Sequence, residues 1–144
     1  MNISYEYLAG MIDGEGCISM YRRKCNANKN GFSYMPYLTI ASSDMWFLEK
    51  LQQCFGGNID ISKHKAIIND KYVCKECHSL RFSPNEIREL LPNIIPFLVL
   101  KKREGEILLE ALEITKYNRY KGYDRSLLDG KVDDLKFLKK NREE

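Results

Sequence analysis

The stretch YLAGMIDGEG, Tyr7 to Gly16, decides how this chain is read. Leu8, Met11 and Ile12 recur at i, i+3 and i+4, the spacing of one apolar helix stripe. Ser4 suits the N-cap and Glu6 the first turn, where the helix dipole favours an anion. Yet Gly10, Gly14 and Gly16 fall inside or at the end of this helix. Glycine in a helix interior costs roughly 1 kcal/mol relative to alanine. Gly10 and Gly14 lie one turn apart with Ala9 beside them, so one face carries almost no side chain. Such a face serves close packing, either onto the chain's own core or between two such helices whose backbones touch.

In the second case the helix ends, and the acids Asp13 and Glu15, come together. Two carboxylates about 4 Å apart repel by roughly 4 kcal/mol at an effective dielectric near 20. A divalent cation between them removes that cost. Mg²⁺ accepts one or two carboxylates, waters and phosphate oxygens. Paired metals activate water and stabilise the leaving oxygen of a phosphodiester.

Outward from this stretch, GCISMYRRK alternates like a strand, with Ile18 and Met20 on the core face. FSYMPYLTIAS reads as a second strand, with Leu38 and Ile40 inward and Pro36 marking an edge or bulge. Ser43 is the expected N-cap of a helix over DMWFLEKLQQCF, which Gly56-Gly57 stops. NIDISKHK is a third strand with Ile59 and Ile61 inward. A hairpin leads to HSLRFS, with Leu80 and Phe82 inward. Pro84 opens a helical stretch, and KKREGEILLEALEITKY is a further helix. The tail is expected to end in one more helix that buries Leu135, Phe137 and Leu138. The order α-β-β-α-β-β-α predicts an α+β fold: an antiparallel sheet with helices on one face, plus C-terminal helices. The other face is left open, carrying Ser19, Tyr21, Arg23, Tyr37, Thr39, Asp60, Ser62, His64, Ser79 and Arg81. One domain over 1–144 is expected, with a core of about 5–117 and an extension over 118–144.

The bulk numbers agree with a globular protein. Apolar residues make up 44% and charged residues 30% of the chain, as in globular domains. No apolar run is long enough for a membrane span, and because MNISYEYLAG has no basic segment followed by an apolar stretch, a cleaved secretory signal is not expected. Five cysteines, an odd number, suit free thiols in a reducing compartment. The expected location is cytoplasmic or organellar, not secreted. The net charge of +3 conceals a division: residues 1–20 carry −3 and residues 21–75 carry +5. An acidic helix beside a basic middle suits a nucleic-acid enzyme that holds metal.

LAGMIDGEG resembles the LAGLIDADG motif of homing endonucleases and intron maturases. Leu8, Ala9, Gly10, Ile12, Asp13 and Gly16 match letter for letter; Met11, Gly14 and Glu15 replace Leu, Ala and Asp. WFLEKL followed by FGG, and PFLVLKKRE before a long helix, are also similar to family segments. The resemblance covers about 5–117. It implies motif helices paired at a twofold axis, through Leu8, Ala9, Gly10, Met11, Asp13 and Gly14. It implies Mg²⁺ (or Mn²⁺) held by Glu15 and the Gly14 carbonyl, with Asp13 holding the turn. It implies a basic residue near the scissile phosphate at Lys101, with Lys102 as the alternative, and a water-positioning residue at Ser42. The sheet is implied to form a saddle in the DNA major groove. The DNA-reading residues would then be Ser19, Tyr21, Arg23, Tyr37, Thr39, Ser62, His64 and Arg81. Lys24, Lys29, Lys63, Lys65 and Lys71 would touch phosphates.

One motif stands in the chain; LLDGKVDDL, residues 127–135, lacks the Ala-Gly step. A symmetric homodimer on a near-palindromic duplex is therefore expected. The resemblance implies a site-specific, metal-dependent double-strand DNA endonuclease of the intron-homing kind. Its alternatives are an RNA-binding intron maturase and a non-cleaving DNA-binding regulator, which Glu15 in place of Asp keeps open. CKECH, Cys74 to His78, spells C-x-x-C-H. Haem attachment there needs export, and zinc on Cys74, Cys77, His78 and His64 lacks a second clear ligand pair. A hairpin with free thiols is the expectation.

Overall fold

The computed structural model describes residues 2–25, 32–117 and 125–142. Helix α1 spans Tyr5–Glu15 and begins where Ser4 Oγ accepts the Tyr7 amide at 3.2 Å. Strands β1 (Gly16–Lys24) and β2 (Phe32–Ser42) follow, then α2 (Met45–Phe55), β3 (Asn58–Ile68) and β4 (Lys71–Arg81). Helix α3 (Pro84–Ile94) runs into a single 3-10 turn, and α4 (Lys102–Tyr117) and α5 (Arg125–Arg142) complete the described chain. The strands form one antiparallel sheet in the order β1-β2-β4-β3. The α-β-β-α-β-β-α order read from the sequence is thus the order of the fold.

Alternation sets the two faces. Ile18, Met20, Leu38, Ile40 and Leu80 are buried beneath the helices. Leu8 and Ile12 of α1, Leu48 and Leu51 of α2, and Ile87, Leu91 and Ile94 of α3 join the same core. Asn69 and Asp70, both at positive φ (51° and 61°), turn β3 into β4. A two-residue hairpin with both centres left-handed matches the right-handed strand twist.

At the far end of α2, Gly56 and Gly57 take φ of 83° and 95°, a region that suits glycine. The Glu86 carboxylate then fastens α2's exit to the start of α3. It accepts the Gly57 amide at 2.6 Å and the Ser83 amide at 2.9 Å, while Ser83 Oγ caps Glu86 in return. The Ser83 amide is the main cause that holds the Glu86 carboxyl below its ordinary value. Partial burial opposes that shift, and the Ser83 hydroxyl and Gly57 amide add to it.

Three local expectations need correction. Asp44, not Ser43, is the N-cap of α2: its carboxylate accepts the Phe47 amide at 3.2 Å. Ile61 is 57% exposed, because β3 runs on past the helices that cover Ile59. Phe137 is 65% exposed; α5 buries Leu135 as expected, together with Leu128 and Val132, an i, i+4, i+7 stripe that excludes position 137, and Leu138 packs partly buried beside it.

Candidate active site and nucleic-acid interface

Helix α1 ends with two acids and no base in its last turn, although the C-terminal end of a helix is the negative pole. The tertiary structure treats the two acids differently. Asp13 accepts the Val99 amide at 2.8 Å and the Lys101 amide at 2.9 Å. Its carboxylate therefore fastens the segment before α4 to the end of α1. The Lys101 ammonium returns the contact, donating to the Ile12 carbonyl at 2.8 Å and the Gly16 carbonyl at 2.5 Å. It caps carbonyls at the end of α1 and offsets the negative pole. Glu15 receives no such partner among the described residues: it is exposed at the same helix end. Gly14 is exposed beside it, with a last-turn carbonyl that no later amide of the helix reaches.

These two hard oxygen donors suit Mg²⁺. Among the described residues of one chain, no group of three His, Cys, Asp or Glu side chains could hold a metal ion. A cation at Glu15 would draw its remaining ligands from water, phosphate or a second chain.

The face of α1 divides in a way that corrects one expectation. Leu8 and Ala9 are both 0% exposed within the chain and cannot line a contact with a partner; they face the core beside Ile12. Gly10 and Gly14 are exposed, and a Cβ at either would meet nothing within 4 Å. Met11 and Asp13 are half-buried. The open stripe is therefore Tyr7, Gly10 and Gly14, one to two turns apart. At its C-terminal end, Val99 and Leu100 are 87% and 58% exposed beside the Asp13 fastening.

Across the sheet, register lines up the open-face residues. Ser19 pairs with Tyr37, Thr39 with Arg81, and Ser79 with Asp60. The Tyr21 and Tyr37 rings meet edge-on at 5.4 Å. Arg81 lies 3.6 Å from the Asp60 carboxylate. Ser19 of the edge strand β1 and Thr39 of β2 are buried, at 6% and 8% exposure. Tyr21, Arg23, Lys24, Ser62 and Arg81 remain exposed. Lys63 is exposed and stands 3.9 Å from Glu76, and Lys71 is exposed. Lys29 and the side chains of His64, Lys65 and Cys74 lie outside the described residues. Cys77 is an exposed free thiol.

Ser42 ends β2 two residues past the Ile40–Gly16 pair, on the motif side of the sheet. Its hydroxyl accepts the Asp44 amide at 3.1 Å and so also shapes the start of α2. Sequence reasoning gave no sign that Asp13 reaches residues 99 and 101, because 86 or more positions separate them. It expected a last helix but gave no sign that this helix, α5, lies along the β1 edge. There Asp129 accepts from the Arg22 guanidinium and the Tyr34 hydroxyl, at 3.2 and 2.7 Å.

The family pattern described as LAGLIDADG endonuclease matches residues 8–99. That is nearly two thirds of the chain, and the chain belongs to this family. Solved homing endonucleases share its fold. A structure of I-CvuI with a DNA target superposes with a TM-score of 0.66 at 19% identity, over 93% of this chain and 80% of that one. I-TnaI gives a TM-score of 0.63 at 17% identity, over 94% of this chain and 99% of that one. I-SmaMI bound to uncleaved DNA with calcium gives 0.69 at 23% identity, but this chain spans only 44% of its length. No match is found among curated proteins.

Proposed function

We propose that this chain is a site-specific double-strand DNA endonuclease of the homing kind, acting as a homodimer on a long pseudo-palindromic duplex. The observation that carries the reading is the end of α1. One acid, Asp13, is consumed by the fold, while the other, Glu15, is held exposed at a helix's negative pole beside an open glycine stripe. A carboxylate placed there calls for a cation, and a stripe of Gly10 and Gly14 calls for a second backbone. Membership of the family and the DNA-bound relatives of the same fold support the same reading.

In this reading the Gly10–Gly14 stripes of two chains pack together and bring the two Glu15 residues over the centre of the duplex. Glu15 and the Gly14 carbonyl would hold a divalent cation, Mg²⁺ or Mn²⁺, which when bound supplies Lewis-acid activation of water and charge neutralisation at the phosphodiester. Lys101 keeps the α1 terminus in place from below and lies next to the scissile region. The sheet faces the major groove. Arg23 and Arg81 are suited to bidentate guanine contacts, and exposed Lys24, Lys63 and Lys71 to phosphates. Strands β3 and β4 have 11 residues each. At about 3.3 Å per residue they reach about 36 Å, or about ten base pairs per chain. A dimer would read on the order of 20 base pairs.

The test is incubation with duplex DNA carrying the element's own insertion site, with Mg²⁺. Cleavage by wild type and its loss in Glu15→Gln, with binding retained, are expected. An inert wild-type protein that still binds the site would instead favour a non-cleaving regulator, the alternative suggested by Glu15 in place of aspartate.

A further inference from the structure

Helix α5 is divided by charge. Residues 125–134 carry Asp129, Asp133 and Asp134 against Arg125 and Lys131, a net −1, whereas residues 135–142 carry Lys136, Lys139, Lys140 and Arg142 and no acid, a net +4. The two halves also differ in how they are partnered. Asp129 is engaged by Arg22 and Tyr34, and Lys131 by Glu110. Among the described residues no carboxylate pairs with Lys136, Lys139 or Lys140. Instead the Lys139 ammonium donates to Cys17 Sγ at 3.2 Å.

That contact fixes where the basic half lies. Asp129 meets Arg22, and ten residues later Lys139 meets Cys17, five residues back along β1. Ten helical residues rise about 15 Å and five strand residues about 17 Å, so the helix runs antiparallel along the edge strand. Its acidic half stands toward the hairpin tip and its basic half beside Gly16, next to Glu15. Cys17 shares the parity of Ser19, Tyr21 and Arg23 and therefore belongs to the open face, opposite the buried Ile18 and Met20. Lys139 thus reaches round the edge of the sheet to the rim of the open face. Lys136 shares a surface pocket with Asp129 and Asp133 without an ion pair to either, and a run of lysines ending at this rim suits a chain of phosphates. Complementing the C-terminal pole of α5 needs a base in the last turn, not three lysines that pair with no carboxylate among the described residues.

We infer that the basic end of α5, through Lys136, Lys139 and Lys140, is a phosphate-binding flank of the DNA interface at the β1 edge. This rests on the endonuclease reading above. Each phosphate contact contributes about −0.9 to the slope of log K against log salt, so one lost contact lowers the loss of affinity between 50 and 200 mM salt by about 3.5-fold.

The experiment is fluorescence anisotropy of the full chain on a random-sequence 40-base-pair duplex at 50–200 mM KCl. The variants are Lys136→Gln/Lys139→Gln/Lys140→Gln, the single Lys140→Gln, and Lys131→Gln as a control of equal charge change elsewhere on α5. The triple variant is expected to weaken binding at 50 mM salt and lower the slope by about 2.7, and Lys140→Gln by about 0.9. Lys131→Gln is expected to leave the slope unchanged. A wild-type slope in the two Lys140 variants, or an equal drop in Lys131→Gln, overturns the inference. If the triple variant does not give a wild-type circular dichroism spectrum, Lys140→Gln, an exposed residue, decides. Wild-type protein that does not bind the duplex at all overturns the endonuclease reading itself.

Discussion

Substituting Gly10 separates the fold of the chain from its association, because the two effects have opposite signs. Within the chain, Gly10 lies inside α1 and a Cβ there meets nothing within 4 Å. Gly10→Ala should stabilise the isolated chain by about 1 kcal/mol, the helix-interior difference between the two residues. For a domain of this size that is about 3–4 °C in Tm. If two α1 helices pack through this stripe, each added group enters a close contact, and twofold symmetry presents it twice. Overpacking costs about 1–3 kcal/mol per insertion, so association should weaken by about 2–6 kcal/mol, at least about 30-fold in Kd. Gly10→Leu should weaken it further. Sedimentation equilibrium measures the dimer constant, and melts at concentrations where both proteins are monomeric measure the chain, since a dimer's stability depends on protomer concentration. Unchanged association in Gly10→Leu would refute the packing of these helices. A wild-type chain that remains monomeric at high concentration would do the same.

Three further outcomes are expected. Asp13→Ala removes two charge-assisted bonds to the Val99 and Lys101 amides and should lower unfolding stability by about 2–4 kcal/mol, read from urea denaturation; a change under 0.5 kcal/mol would mean the fastening is idle. Because Glu86's folded pKa lies below its ordinary value of 4.5, its contribution is present above that value and is lost as pH falls below it through the folded pKa. Glu86→Gln should therefore flatten the fall in stability on that acid limb and be most destabilising near neutrality; parallel pH profiles for variant and wild type would contradict this. Arg81→Gln should relax discrimination at one base position by about 1–3 kcal/mol, measured on single-base variants of the target; an equal loss on every sequence would mean that Arg81 touches only phosphate.

What the sequence by itself determined is local and periodic. Alternation in GCISMYRRK and FSYMPYLTIAS set the sheet faces, because strand parity leaves no other arrangement for Ile18, Met20, Leu38 and Ile40. The motif placed two carboxylates at the end of α1, because the apolar stripe ahead of them fixes where that helix runs. Helix starts were legible to within a residue: Asp44 displaced Ser43, since either residue can cap and only the geometry of the chain entering from β2 selects one. Period alone could not say how far a layer extends, so Ile61 and Phe137 were assigned inward where no neighbour covers them. Only the tertiary structure decided the division between Asp13 and Glu15. Two acids two residues apart look alike in sequence; one is consumed because the segment at 99–101 folds back on it and donates two amides to it. It also decided which residues of α1 remain for a partner, burying Leu8 and Ala9 and leaving the glycines open, and it carried the lysines of α5 to the β1 edge. Those outcomes depend on contacts between residues 86 to 122 positions apart, and no local propensity encodes such distances.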